Sequence, residues 1–260
     1  MADGLPDDLR GALDAVARLP RVLIACDYDG TLAPIVANPQ DARPLPRSAA
    51  ALEALTTLPA TAVALISGRA LAVLKDLSGV SDAVHLVGSH GSEFDSGFVA
   101  PVDERAEALL AEIMRTLDGI AAEYPGVTTE LKPASAALHV RNAAPGDAEA
   151  ALRRAAEAAE AWDAQVTDGK AVKEFAVIDT DKGQAVDILR EQQDASAVVF
   201  LGDDVTDEKA FRRMRGDDVG VKVGPGDTAA GFRVDEPEDV AAALEYLLEV
   251  RRRWAAGQSG

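Results

Sequence analysis

Short apolar runs alternate with stretches of helical spacing over the first hundred residues. Leu5, Leu9, Leu13, Val16 and Leu19 recur at helical intervals and predict an amphipathic helix. Val22–Cys26 is an unbroken apolar run of strand length, the pattern of a strand buried on both faces. Pro34, Pro39, Pro44 and Pro46 then leave no room for a regular element. Arg47 to Leu58 reads as a helix, Ala62–Ile66 as a second apolar strand, and Leu71, Leu74 and Leu77 as a second amphipathic turn of helix. Val84–Val87 is a third short strand. Strands separated by helices predict an α/β fold with a doubly wound parallel sheet.

The rhythm changes after Val99. Glu104 to Ala122 is one long helical stretch. Val127–Lys132 and Ala136–Arg141 alternate like half-exposed strands around Pro133-Ala-Ser135, and Asp147 to Trp162 is helical again. Gln165–Thr167 and Ala171–Phe175 predict a hairpin that turns at Asp168-Gly169. The block 100–176 is therefore expected to be an α/β module inserted into a sheet domain made of 1–99 and 177–260. Linkers are expected near Val99–Asp103 and Ala176–Asp181. The α/β rhythm then resumes with a helix opened by Lys182, an apolar strand Ala197–Leu201, a last strand Val219–Val223 and a terminal helix Pro237 to Arg252. Arg251-Arg-Arg253 suits the C-terminus of that helix, and Gly257-Gln-Ser-Gly260 reads as a disordered tail.

Composition narrows the function classes. The 260 residues suffice for a sizeable core, and with 4% aromatic residues it should be built from Ala, Leu and Val. A net charge of −18 argues against nucleic acid or an anionic membrane as partner. An anionic small substrate then needs a locally positive site, which a divalent cation would supply. No apolar run reaches membrane-spanning length, and no basic-then-apolar leader opens the chain. The single cysteine, Cys26, lies inside the first strand and reads as a buried packing residue, which fits a cytoplasmic location.

Polar chemistry gathers at the carboxyl ends of the predicted strands. The first strand runs into Asp27-Tyr-Asp29-Gly30, the second into Ser67-Gly68-Arg69, the third into Gly88-Ser-His90-Gly-Ser-Glu93, and the fourth into Gly202-Asp203-Asp204 with Asp207 beyond. In an open α/β sheet these ends form the ligand-binding edge. Asp-x-Asp-Gly is also the opening of an EF-hand calcium loop, but the twelfth position counted from Asp27 is Asn38 rather than Glu. Two acidic clusters far apart in sequence repel each other on one edge unless a cation lies between them. Oxygen ligands and few histidines favour Mg2+ over Zn2+, and a nearby lysine and serine suit a phosphoryl group.

Asp27-x-Asp29-Gly-Thr, Ser67, Lys182 and Gly202-Asp203-Asp204, in this order, resemble the haloacid dehalogenase superfamily of phosphotransferases. The resemblance implies that fold, with a Rossmann-like core and an inserted α/β cap. It implies Asp27 as the nucleophile that becomes an aspartyl-phosphate, Asp29 as general acid and base, and Ser67 and Lys182 as the groups that hold phosphate oxygens. It further implies Mg2+ on Asp27, the backbone carbonyl of Asp29 and Asp203, with Asp204 and Asp207 as supporting candidates. Helix capping is the plainer account of the acids after Asp203.

The longer strings Asp27-Tyr-Asp-Gly-Thr-Leu-Ala-Pro-Ile35, Ser67-Gly-Arg69, Gly88-Ser-His-Gly-Ser-Glu93, Asp181-Lys-Gly183 and Gly202-Asp-Asp-Val-Thr-Asp-Glu208 are similar to those of trehalose-6-phosphate phosphatases. That similarity implies substrate contacts from Gly30, Gly68, Arg69, His90 and Glu93 of the sheet domain. From the cap it implies Lys132, His139, Arg141, Lys170 and Glu174. Phe175-Ala176 departs from the basic residue and proline that often follow the last of these. Taken alone, His139 and Arg141 on one strand face fit a solvated surface, and His90 between glycines fits a loop histidine bonded to backbone. The expected substrate is a sugar phosphate, with association with a trehalose-phosphate synthase a further expectation. The rivals are a capped phosphatase for sucrose phosphate or a glycosyl-phosphoglycerate, a phosphomutase, and a non-catalytic partner of a sugar synthase. Intact Asp27 and Asp29 argue against the last.

Overall fold

The computed structural model describes residues 4–98, 102–169 and 171–258. The chain divides into two compact units, Met1–Asp95 with Asp181–Gly260, and Ser96–Thr180.

The first unit is built on strand β1 (Val22–Cys26), preceded by helix α1 (Asp7–Val16). Helix α2 (Pro46–Thr56), β2 (Thr61–Ile66), α3 (Leu71–Ser78) and β3 (His85–Gly88) follow. Two short strands, β4 (Glu93–Phe94) and β5 (Gly97–Phe98), extend the sheet beyond the three strands expected there. The proline-rich crossing does hold one regular piece, a single 3-10 turn at Pro39–Asp41 with Asn38 capping it.

In the second unit, α4 (Glu104–Glu123) leads into β6 (Thr128–Lys132) and β7 (Ser135–His139). Helix α5 (Pro145–Ala159), β8 (Gln165–Gly169) and β9 (Val172–Ala176) complete it. The antiparallel order is β6-β7-β9-β8. The hairpin does not turn at Asp168-Gly169: Asp168 pairs with Lys173 and Gly169 with Val172, so both belong to the paired strand and the turn lies beyond Gly169. Ala171 takes the left-handed conformation there, at φ 62°. Helices α4 and α5 cover one face through Ile113, Leu117, Ala151 and Ala155, which pack on Ala136, Leu138 and Phe175. By the period-two rule the other face carries Glu130, Lys132, Ser135, His139, Thr167 and Glu174.

The chain returns to the first unit with α6 (Lys182–Gln192), β10 (Ala197–Gly202) and the short α7 (Glu208–Phe211). After β11 (Val219–Val223) comes a strand the apolar pattern did not reveal, β12 (Phe232–Val234). The closing helix α8 (Pro237–Gln258) runs six residues past Arg252 and takes in Gly257 and Gln258 of the expected tail. Sheet order is β12-β11-β10-β1-β2-β3-β4-β5, parallel from β12 to β3. Alternation along β1 explains the double winding. Val22, Ile24 and Cys26 face a core with α1, α2 and α8, whereas Leu23 and Ala25 face a second core with α6 and α7. From β1 the chain winds outward through β2 and β3, then comes back to β10 on the other side of β1. That reversal between β1 and β10 is where such sheets open a crevice at their carboxyl ends.

Arg251 differs from its sequence reading. It lies inside α8, 1% exposed, and does not neutralise a helix end. Its guanidinium donates to the carbonyls of Ala17, Leu19, Pro20 and Ala60 and to Thr61 Oγ1, and stacks on Trp254 at 4.0 Å. One cation thus ties α8 to the entries of β1 and β2, at the edge opposite the crevice. Arg251→Met keeps much of the volume but strands these acceptors, each charge-assisted bond being worth about 1.5–3 kcal/mol. The expected loss is at least about 3 kcal/mol, seen as a fall of roughly 6–12 °C in Tm by thermal melting.

Candidate active site

The crevice is acidic, and two of its three clustered carboxylates are buried. Asp27 directly follows β1, and its backbone N–H bonds Leu201 O across the switch point at 2.9 Å, so the end of β1 is tied to the end of β10. Asp203 begins the loop after β10, and Asp207 ends the same loop just before α7. Ligand oxygens of Asp27, Asp203 and Asp207 lie within 4.8 Å of one another. Asp27 is 4% exposed and Asp207 0%.

One lysine answers this charge. Lys182, the first residue of α6 and 2% exposed, donates to Asp27 Oδ1 at 2.6 Å and to Asp207 Oδ1 at 2.7 Å. Burial works against its charge, but the carboxylates of Asp207 and Asp27 outweigh that and hold its pKa above the ordinary lysine value. Three carboxylates against one ammonium still leave excess negative charge. Burial first, then repulsion from Asp207 and Asp203, pushes the Asp27 carboxyl well above the carboxylate range despite Lys182. Burial and Asp207 push Asp203 up to about 6. Asp203 Oδ1 is buried without a hydrogen-bond partner. A hard divalent cation fits this donor set: clustered carboxylate oxygens, an orphaned acceptor and uncompensated charge.

The backbone makes room for the cluster. Gly30 has φ 82°, and a Cβ there would collide with the Asp203 carboxylate. Gly30 therefore serves the loop by being small and left-handed. Asp204 stands apart from the acidic group, its Oδ1 accepting from Val205 N at 2.6 Å while its own N–H donates to Asp207 Oδ2 at 2.9 Å. Asp207 therefore belongs to the cluster itself and gives α7 no side-chain cap. Glu208 accepts from Ala229 N at 2.8 Å and braces the neighbouring loop. Lys222 is a site residue that motif reading missed. It is 4% exposed on β11 and donates to the carbonyl of Asp203. The available signal was a lone lysine inside the apolar run Val219–Val223, where a charge is buried only with a partner.

Asp29 points elsewhere. Arg69 grips both of its oxygens at 2.6 Å, donates to Pro39 O at 2.9 Å, and lies over the Tyr28 ring. Ser67, 1% exposed after β2, accepts from Arg69 N at 3.2 Å and keeps its own hydroxyl proton for donation. The His90 ring occupies the space a side chain at Gly68 would need. Glu93 accepts from Leu71 N at 2.8 Å and from Ser89 Oγ at 3.3 Å.

In the second unit, Glu174 accepts from Lys132 Nζ and from Ser135 Oγ, both at 2.6 Å, in a buried triad. Ser135 was not singled out by sequence, because a strand serine has no motif of its own. His139 meets Glu130 at 2.8 Å, a bond that draws the Glu130 pKa down. Arg141 is exposed just beyond β7, and Lys170 lies outside the described residues. Among the described residues no helix is long and apolar enough to cross a membrane.

The family model for trehalose-phosphatase matches residues 25–238. The trehalose-phosphate phosphatase of Mycobacterium avium (strain 104) is 38% identical over 276 residues, an alignment spanning 96% of this chain and 68% of the relative. The trehalose-6-phosphate phosphatase of Escherichia coli (strain K12) is 33% identical, with 85% of this chain and 84% of the relative covered. Among solved structures, the C-terminal domain of C. albicans trehalose-6-phosphate phosphatase superposes with a TM-score of 0.80 at 25% identity, covering 92% of this chain and 96% of that one.

The acidic cluster has a pH signature. A carboxyl whose pKa rises on folding carries no penalty while it stays protonated in both states, and a full one once it ionises in both. For Asp203 the penalty grows from about pH 4 to pH 6 and persists above. In chelator, Asp203→Asn should therefore raise Tm above pH 6 by about 2–6 °C, a gain that shrinks toward zero at pH 4. Millimolar Mg2+ should reverse the order of wild type and variant at pH 7, because the variant lacks the ligand. Thermal melts across this pH range read both effects.

Proposed function

Because the chain belongs to the trehalose-phosphatase family and is an enzyme of that activity, we propose that it works through an aspartyl-phosphate on Asp27 with Mg2+ as cofactor. The observation that carries this reading is the cluster of Asp27, Asp203 and Asp207 with the buried Lys182 at the switch point of the sheet. Asp27, Asp203 and Asp207 would hold the cation, which when bound neutralises charge on the phosphoryl oxygens.

The chain's own residues supply the rest. A carboxylate oxygen of Asp27 attacks phosphorus, and the bond from phosphorus to the sugar oxygen breaks. The leaving oxygen takes a proton from Asp29. Water then attacks the aspartyl-phosphate, giving its proton to Asp29, and the bond to Asp27 breaks to release inorganic phosphate. Lys182 spends two of its three N–H donors on Asp27 and Asp207, which aims the nucleophile and lowers the repulsion an incoming dianion meets. Ser67 donates its hydroxyl to a phosphate oxygen. The bidentate grip of Arg69 sets where the Asp29 carboxylate lies between turnovers.

Phosphate chemistry cannot by itself select a disaccharide. We assign that task to the polar set of the second unit, Lys132, Glu174, His139 and Arg141, in which Glu174, each of whose oxygens already accepts one bond from Lys132 or Ser135, has further lone pairs for sugar hydroxyls. Groups built to pair with such hydroxyls are left unpaired by smaller esters, which is the strongest route to discrimination.

Asp27→Asn is expected to bring phosphate release from trehalose 6-phosphate below about 1% of wild type with the fold intact by circular dichroism. Residual activity above that level removes Asp27 as nucleophile. Glu174→Ala is expected to lower kcat/KM for trehalose 6-phosphate by roughly 100-fold or more while sparing p-nitrophenyl phosphate to within a few fold. Equal losses on both substrates would withdraw the sugar-reading role.

A further inference from the structure

The loop after β3 is more constrained than its length explains. Ser89 and His90 sit consecutively in the left-handed region, at φ 50° and 55°. Neither is glycine, so the surroundings must over-determine this conformation. Those surroundings are the two segments that carry the phosphate-side residues. Ser89 N donates to Arg69 O at 2.7 Å, and His90 N donates to Ser67 O at 3.0 Å. Ser67 N donates to Val87 O at 2.9 Å. The His90 ring fills the space above Gly68, and Gly91 comes so close to the carbonyl of Asp181 that a Cβ would collide with it. Asp181 caps α6 by accepting from Gln184 N at 2.8 Å, and Lys182 is the next residue. One loop thus touches the segment bearing Ser67 and the turn bearing Lys182.

Glu93 closes this arrangement. Its Oε2 accepts from Leu71 N, the first residue of α3, and from Ser89 Oγ. Helix α3 has no side-chain cap of its own at Ala70. A carboxylate there satisfies an orphan amide and suits the positive end of the helix. The same oxygen ties α3, and with it the chain leaving Arg69, to the left-handed turn.

We propose that Glu93 is a positioning residue for the phosphate-binding loop rather than a reader of the sugar, acting through Ser89 and Leu71 on the placement of Ser67 and Arg69. The proposal rests on the reading of Ser67 as a phosphate-holding group. A residue that acts on the phosphate loop must affect every phosphate ester alike, whereas a sugar reader affects only the disaccharide.

The test uses the whole chain with Mg2+ and three variants, Glu93→Ala, Glu93→Gln and Ser67→Ala. Turnover is measured on trehalose 6-phosphate and on p-nitrophenyl phosphate. Binding of orthovanadate, a phosphate mimic, is measured by calorimetry well below the melting temperature. Glu93→Ala is expected to lower kcat/KM on both esters in equal proportion, between about 10- and 100-fold, and to weaken vanadate binding. Glu93→Gln keeps one carbonyl acceptor and should fall between the variant and wild type. A loss confined to trehalose 6-phosphate would overturn the proposal in favour of a sugar contact. A lower Tm with vanadate affinity unchanged would overturn it in favour of a role in stability alone. If Ser67→Ala also leaves vanadate binding unchanged, the phosphate-site reading itself fails and the proposal falls with it. If Ser67→Ala weakens binding and Glu93→Ala does not, only the proposal fails.

Discussion

The bridge from Lys182 to Asp27 and Asp207 is the contact on which the catalytic unit depends. Clustering Asp27, Asp203 and Asp207, two of them buried, is strongly unfavourable without a counter-charge. One ammonium at the start of α6 offsets part of that cost and sets the orientation of two of the carboxylates. A cation would offset the remainder, and the raised carboxyl pKa values of Asp27 and Asp203 express the same shortfall. Stability without metal and readiness to bind metal are therefore two faces of one charge imbalance, as expected where a site is built for function at some expense of fold.

The sheet brings these groups together from distant parts of the chain. Asp27 follows β1 and Asp203 follows β10, which lie side by side although some 175 residues of sequence separate them, 203 minus 27 being 176. Winding outward from β1 in one direction and then in the other makes this the one place where two strand ends diverge into opposite loops. The remaining strand ends contribute by proximity: Ser67 and Arg69 after β2, and the left-handed turn after β3. Arg69 belongs to two networks, gripping Asp29 by its side chain and holding Ser89 by its carbonyl. A displacement of the turn after β3 is thereby carried to the Asp29 carboxylate as well as to Ser67.

Fold alone does not decide catalysis. In the proposed mechanism a short set of side chains on that frame carries the chemistry. The second unit shows the same economy. Its sheet has one face committed to α4 and α5, which leaves the other to polar groups, and Glu174, Lys132 and Ser135 satisfy one another there in a buried triad.

Hydrophobic periodicity and strand-end chemistry were enough to predict a doubly wound sheet and a change of architecture near residue 100, while the family came from the resemblance of the strand-end motifs to known phosphatases. Those features are local: an apolar run of strand length, a glycine after an aspartate and a lysine opening a helix each carry their meaning within a few residues. Features made by distant partners were not legible. The strand Phe232–Val234 is too short to show a period, and the hairpin turn moved off Asp168-Gly169 because pairing register, not turn propensity, set its place. Arg251 looked like a helix-end charge until the fold placed carbonyls from Ala17 to Ala60 around it. Asp207 read equally well as a helix cap until Lys182 was found against it. Glu93, expected from sequence to contact the sugar, accepts from Leu71 and Ser89, partners that no local pattern announces. A carboxylate or guanidinium has no preferred partner in sequence; its role is settled by whichever opposite or orphaned group the tertiary structure buries beside it.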